Sequence, residues 1–227
     1  MPAVEMSADQ PMRVAATQEV VDYVVAAGIA PLPAQNDLVE RTEKETGDRA
    51  GMRIAPEQGA LITLLAKMAS ARRAIEVGTF TGYSSLSIAR ALPADGHLLC
   101  CDISEEWTRI ARDAWDSAAL SDRIELRIAP ALETLRALPR EETVDFSFVD
   151  ADKTGYAAYY EELIVRTRPG GLIVFDNVLY GGRVLGDDAK TGNAAALREF
   201  NPALAADPRV DVVMLPIADG LTVARKI

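Results

Sequence analysis

A chain of 227 residues, 49% hydrophobic and 26% charged, is long enough for one substantial core and short for two full-size domains. That balance excludes a disordered chain, a collagen-like repeat and a coiled-coil rod. A formal net charge of −10 argues against binding a nucleic-acid backbone or an anionic membrane surface, because both need clustered cations.

Residues 1–14 carry acids and prolines and no apolar stretch, so they do not read as a secretory signal. No run approaches the roughly 18 apolar residues of a membrane span. Val20, Val21, Val24 and Val25 recur at helical spacing until Gly28, Pro31 and Pro33 stop the pattern. A mixed-charge helix is predicted over 36–46, ending near Gly47, and a loop over 50–56. Pro56 opens a third helix, with Leu61, Leu64, Leu65 and Met68 as its expected apolar face.

From residue 73 the rhythm changes. Apolar runs at 74–77, 98–103, 124–128, 144–149, 172–175, 210–215 and 221–224 read as strands. Helical patterns at 83–92, 105–120, 131–138, 156–167 and 193–206 separate the first six. Near-continuous apolar strands alternating with helices predict an α/β fold, a doubly wound, mostly parallel sheet covered on both faces. The last two runs, divided by a turn containing Asp219-Gly220, read as an antiparallel hairpin. The organisation is one domain over 1–227, with residues 1–50 a helical N-terminal appendage. Cys100 and Cys101 are adjacent in a strand, so they point to opposite faces and suit neither a disulfide framework nor a zinc site. They are expected to be reduced and partly buried in a cytoplasmic protein.

Ligands of such sheets bind at the carboxyl ends of the strands. The first end reads Glu76-Val77-Gly78-Thr79-Phe80-Thr81-Gly82-Tyr83-Ser84, a glycine turn into a helix that is not G-x-G-x-x-G. An acid just ahead of the glycine opposes a pyrophosphate and suits an ammonium or hydroxyls. Asp102, at the next end, is placed to accept both hydroxyls of a ribose. A nucleoside with a cationic amino-acid arm and no phosphate meets both demands, and S-adenosylmethionine is such a molecule. A nicotinamide-dependent dehydrogenase fits the ribose acid but not the first loop, and a binding module without activity would be expected to have lost some of these acids.

Two later ends read Phe148-Val149-Asp150-Ala151-Asp152-Lys153 and Val174-Phe175-Asp176-Asn177. Asp150, Asp176 and Asn177 together would offer two carboxylates and an amide oxygen, hard ligands that suit Mg²⁺, Ca²⁺ or Mn²⁺ rather than zinc. Taken singly, Asp150 reads equally as a helix cap and Asp176-Asn177 as a turn.

With 180–184 (Tyr-Gly-Gly-Arg-Val) following, these motifs resemble the cation-dependent class I O-methyltransferases, in the caffeoyl-CoA and catechol O-methyltransferase branch. The resemblance runs from about Met52 to the C-terminus. It implies a Rossmann-like seven-stranded sheet whose last-but-one run is the edge, with the final run inserted antiparallel beside it. It also implies that Glu76 and Asp102 hold S-adenosylmethionine, that Gly78, Ser84 and Ala131 line its pocket, that Met52 covers it and that Asp150 lies beside it. Asp150, Asp176 and Asn177 become the metal ligands, and a homodimer is implied. Tyr180 is followed by Gly181 where the plant coenzyme A ester enzymes carry asparagine. That departure favours a free vicinal-dihydroxy phenol over a coenzyme A-linked one, which stays as the alternative.

Transfer of a methyl group to a phenol needs a phenolate held in line with the donor. A chelated divalent cation stabilises the oxyanion, and Lys153 is the candidate base, with Asp150 beside it. Asp152 is expected to cap a helix or orient neighbours. His97, the only histidine, is too isolated for a triad. Trp107 and Trp115 both suit a packed helix face, and Trp107 also suits the flank of an adenine. Tyr156, Tyr159 and Tyr160 read as core and surface residues, Asp187-Asp188 as a solvated loop, and Gly181-Gly182 as freedom for that loop to close over substrate.

Overall fold

The alternation of apolar runs and amphipathic segments becomes a seven-stranded sheet with helices on both faces, in a computed structural model whose described residues are 14–186 and 191–227. The elements run α1 (Gln18–Ala27), α2 (Pro33–Thr46), α3 (Pro56–Met68), β1 (Arg73–Val77), α4 (Tyr83–Ala89), β2 (His97–Asp102), α5 (Glu105–Ser117), β3 (Ile124–Ile128), α6 (Ala131–Ala137), β4 (Val144–Val149), α7 (Tyr156–Ile164), β5 (Thr167–Asp176), α8 (Gly192–Ala205), β6 (Val210–Leu215) and β7 (Leu221–Lys226). The sheet order is β3-β2-β1-β4-β5-β7-β6. Neighbours among β1 to β5 pair in parallel, and β7 is antiparallel to both β5 and β6. The final strand therefore sits inside the edge strand β6, as the resemblance implies. Asp187 and Asp188 lie outside the described residues, as do residues 1–13. Among the described residues no helix is long and apolar enough to cross a membrane.

Strand alternation divides the core in two. Ala74, Leu98, Cys100, Phe146, Phe148 and Val174 face α3, α4 and α5, while Ile75, Val77, Leu99, Cys101, Val149 and Phe175 face α6, α7 and α8. The two cysteines are free and do point to opposite faces, but both are fully rather than partly buried.

The N-terminal helices depart from the expectation in detail. Pro33 is not a stop signal but the first residue of α2, and a 3₁₀ turn, Gly47–Met52, occupies the start of the expected loop. On α3 the buried face is Gly59, Ile62, Thr63 and Ala66, whereas Leu64 and Met68 are exposed. The reason is close approach. A β-carbon at Gly59 would lie 2.8 Å from the Tyr83 ring and 2.9 Å from Ser87 Oγ, so α3 turns its small residues toward α4.

α2 and α3 begin alike, with X-Pro-X-Gln. Gln35 accepts the Leu32 amide and Gln58 the Ala55 amide, each at 2.9 Å, so the third helical residue caps the helix start. Each glutamine then uses its amino end elsewhere: Gln35 on Ser87 Oγ at 2.9 Å, and Gln58 on Asp176 Oδ1 at 2.7 Å.

At the amino edge of the sheet, Asp145 is nearly buried. One oxygen accepts the Arg72 and Arg73 amides, both at 2.8 Å, and the other accepts Arg168 Nε at 2.6 Å. Burial pushes this carboxyl up, but the amides and the guanidinium outweigh it and hold it below its ordinary value. A depressed carboxyl stabilises the fold above its unfolded value and loses that contribution on acidification. Asp145→Asn is expected to cost about 1–3 kcal/mol at pH 7, with the deficit shrinking as pH falls below about 4. Thermal melts at pH 7 and pH 3.5 check it, and equal melting temperatures at pH 7 would remove Asp145 as a staple.

Candidate active site

Strand order reverses between β1 and β4, and there the two connections leaving the sheet diverge and open a crevice. The geometry depends on Gly78. Its φ is +90°, and a β-carbon there would lie 2.0 Å from the Asp150 carbonyl oxygen. Only glycine lets the β1 turn press against the end of β4. Gly82, with φ +92°, likewise lets the start of α4 meet Ala111 and Trp115.

Glu76 is fully buried on the α3–α5 side of β1. Its Oε2 accepts Thr79 Oγ1 at 3.0 Å and Cys100 Sγ at 3.2 Å. Its Oε1 is buried without a hydrogen-bond partner. Burial raises this carboxyl to about 7, tempered by Ser84, Cys100 and Thr79. Ser84 lies close enough to contribute, though no well-formed hydrogen bond closes on Oε1. An orphaned buried carboxylate oxygen is costly, and a cation or donor arriving from the crevice relieves it.

Asp102 ends β2 and stitches the crevice wall. Oδ2 accepts the amides of Thr79 and Phe80 at 2.8 and 2.9 Å, and Oδ1 accepts that of Ser104 at 2.8 Å. An ionised carboxylate has about four acceptor sites, so these three leave room for a ligand hydroxyl. Ala131, the first residue of α6, is buried beside this wall, because the Ala129 amide donates to the Asp102 carbonyl at 2.9 Å. Phe80 and Trp107 rings stand 5.8 Å apart, with the Arg49 guanidinium over Trp107. Trp115, not Trp107, is the fully packed tryptophan of α5. Met52 stands apart, 54% exposed at the end of its 3₁₀ turn.

The other wall carries the acids at the ends of β4 and β5. Lys153 is buried and donates from Nζ to Asp150 Oδ1 and to the Tyr156 hydroxyl, both at 2.8 Å. Tyr156 donates onward to the Asp176 carbonyl at 2.7 Å, and its ring is wedged between Phe175 and Phe200. Lys153 is thus a fixed group rather than a solvated lysine. Asp176 is 1% exposed, and Oδ1 takes Gln58 Nε2 and the Asn177 amide, both at 2.7 Å. Burial first, and the Asp150 charge second, raise the Asp176 carboxyl to about 7, against the pull of the Asn177 amide, Lys153 and Gln58. Asn177 holds φ +53°, a left-handed conformation that turns the chain sharply at the strand end.

Beyond Asn177 lies a cavity of about 560 Å³, lined in part by Tyr180, Gly181, Arg183 and Asn193. Asn193 donates to the Tyr180 hydroxyl at 3.1 Å, and the Arg183 guanidinium sits over the Tyr180 ring. The loop is tied to the hairpin turn: Asp219 Oδ1 accepts the Gly181 amide at 2.5 Å.

Two groups of the expected residues come together: Glu76, Gly78, Ser84, Asp102 and Ala131 along one wall, and Asp150, Lys153, Asp176 and Asn177 along the other. Of the two roles expected of Asp152, it makes no side-chain cap but does orient neighbours, accepting the Tyr159 hydroxyl at 2.5 Å and the Thr154 hydroxyl at 3.0 Å. His97 pairs with Glu125 on the surface, far from chemistry. Sequence reasoning missed Gln58 and read Tyr156 as bland. The X-Pro-X-Gln repeat was the available signal for the first, and the three-residue step from Lys153 for the second.

Comparison with known proteins agrees with this geometry. A family model described as O-methyltransferase matches residues 31–227, reaching back well before Met52. Caffeoyl-CoA O-methyltransferase 2 of Eucalyptus globulus is 36% identical, covering 90% of this chain and 87% of its own. Catechol O-methyltransferase domain-containing protein 1 of Mus musculus is also 36% identical, covering 90% and 79%. The solved O-methyltransferase of Bacillus cereus in complex with SAH superposes with a TM-score of 0.84 at 30% identity, covering 92% and 97%. This chain belongs to the O-methyltransferase family.

Proposed function

We propose that this protein transfers a methyl group from S-adenosylmethionine to one hydroxyl of a vicinal-dihydroxy aromatic small molecule, with a divalent cation bound by Asp150, Asp176 and Asn177. The observation that carries the reading is the placement of two carboxylates from neighbouring strand ends, Asp176 buried and Asp150 half-buried, close enough for the Asp150 charge to act on Asp176, with Lys153 Nζ 2.8 Å from Asp150 Oδ1. A further cation would relieve the repulsion that raises the Asp176 carboxyl. Asn177, next in the chain to Asp176, offers an amide oxygen as the third ligand. Two carboxylates and an amide suit Mg²⁺, with Ca²⁺ or Mn²⁺ as alternatives.

The donor wall fits its ligand by the same test. The unpartnered Oε1 of Glu76 is complementary to the ammonium of the amino-acid arm. Asp102 keeps acceptor capacity for ribose hydroxyls, Gly78, Ser84 and Ala131 line the pocket, and Met52 is assigned to its cover. Asp150 borders both ligands.

When bound, the donor supplies an already activated methyl group, and the cation supplies Lewis-acid stabilisation of a phenolate. Lys153 takes the hydroxyl proton. Asp150 Oδ1 and the Tyr156 hydroxyl, each at 2.8 Å, occupy two directions around Nζ and leave another open towards the acceptor's O–H. Tyr156 thereby sets the direction of proton transfer without exchanging a proton of its own.

The cavity beside Tyr180 accommodates the body of a small phenol. Arg183 on its wall, together with relatives named for caffeoyl-CoA, keeps the coenzyme A-linked phenolic ester as a second reading. A homodimer and a reducing, cytoplasmic setting complete the proposal, supported by the exposed apolar Leu64 and Met68 and by two free cysteines.

Removing the cation with EDTA is expected to abolish methylation of a catechol by labelled donor, and Mg²⁺ to restore it; Asp150→Ala and Asp176→Ala should stay inactive in either case. Full activity in excess EDTA would end the metal reading. Lys153→Ala is expected to lower turnover by about 10²–10⁴-fold with the donor dissociation constant unchanged, and equal loss of donor affinity would take Lys153 out of the base role. Because burial holds the Glu76 carboxyl near 7, and only its ionised form attracts an ammonium, donor affinity should strengthen as pH rises from about 6 to 8. Calorimetry should show that trend flattened in Glu76→Gln, and a pH-independent wild type would contradict it.

A further inference from the structure

The start of α3 reaches across the fold to the end of β5. Gln58 is 2% exposed, and its Oε1 accepts the Ala55 amide at 2.9 Å. A backbone N–H can only donate, so this bond fixes which end of the carboxamide is oxygen. The amino end must then face Asp176, where Nε2 donates to Oδ1 at 2.7 Å. The same oxygen takes the Asn177 amide at 2.7 Å. Two donors on Oδ1 fix the plane of the carboxylate, while Oδ2 accepts no hydrogen bond from any described residue.

We propose that Gln58 is a positioning residue for the oxygen-ligand set: from 118 residues away in the chain it holds Oδ1 of Asp176 so that Oδ2 is presented to a divalent cation. This rests on the cation reading above. The residue type is what the task requires. A lysine or arginine in its place would orient Asp176 but repel the ion, and a carboxylate would compete for it. A neutral amide donates without adding charge. Because the other end of the same amide is the cap of α3, the orientation of Asp176 is anchored to a rigid helix rather than to a surface loop.

The test is Gln58→Met, which keeps length and flexibility but removes both polar contacts. Mn²⁺ binding to the full chain is read by electron paramagnetic resonance, S-adenosylmethionine binding by calorimetry, and folding by thermal melt. The expected result is a Mn²⁺ dissociation constant raised about 10–100-fold with donor affinity changed less than about threefold. A lower melting temperature with unchanged Mn²⁺ affinity assigns Gln58 to helix capping alone and overturns the proposal. Wild type that binds no Mn²⁺ overturns the cation reading and this inference with it. Wild type that binds while Gln58→Met binds equally overturns the inference alone. Should the variant fail to fold, the side-chain amide resonances of Gln58 in the wild type decide: they shift on Mg²⁺ saturation if Gln58 holds a ligand, and unshifted resonances overturn the proposal.

Discussion

The crevice is organised by uncompensated negative charge. Glu76, Asp150 and Asp176 stand at neighbouring strand ends, two of them completely or almost completely buried, and Lys153 is the cation paired among them. Burying a carboxylate is expensive unless something satisfies it, and here the chain satisfies each one only in part. Oε1 of Glu76 has no partner, and Asp176 accepts on one oxygen while its pKa is driven up by burial and by Asp150. Such a site is poorly stabilised when empty and complementary to positive charge. On the proposed function, an ammonium-bearing donor and a hard cation would share this one electrostatic deficit.

That deficit is held in place by neutral groups. The amides of Thr79, Phe80 and Ser104 on Asp102, the hydroxyl of Tyr156 under Lys153 and the carboxamide of Gln58 on Asp176 all orient charge without cancelling it. A fully ion-paired crevice would be more stable and less able to bind. The cost is met elsewhere, in the two hydrophobic layers and in staples such as Asp145 at the opposite edge of the sheet, where guanidinium and amides do satisfy the carboxylate. The amino edge is built for stability and the carboxyl edge for binding.

What was legible in the sequence follows the same division. Strands buried on both faces read as unbroken apolar runs, so Phe146-Ser147-Phe148-Val149 and Ile173-Val174-Phe175 announce their state without context. Strand-end acids were legible because the topology places ligands only there. The face of α3 was not legible: Leu61, Leu64, Leu65 and Met68 have the right spacing, but Tyr83 and Ser87 approach so closely that only the glycine face fits. Gln58 was hidden for a related reason. A glutamine at the third position of a helix is explained locally by capping, and nothing local reveals that its other end meets a residue 118 positions away. Local patterns reveal what a residue does for its own element and conceal what it does for another.

The acceptor side follows from this arrangement. On the proposed function, donor and cation would be met by residues at the ends of β1, β2, β4 and β5, where sheet hydrogen bonds fix the backbone. The cavity that remains is walled by Tyr180 and Arg183, on a segment with left-handed glycines at 181 and 182 that is fastened to the hairpin through Asp219, and by Asn193 at the start of α8. Its side chains can change without disturbing a strand end. Tyr180 is itself held by Asn193, so its ring gives the loop one rigid wall, against which Arg183 lies. If this cavity takes the acceptor, selectivity lies on residues that the sheet does not need, and chemistry on residues that it fixes. On that reading, reaction class lies in the strand ends and acceptor choice in the residues around Tyr180.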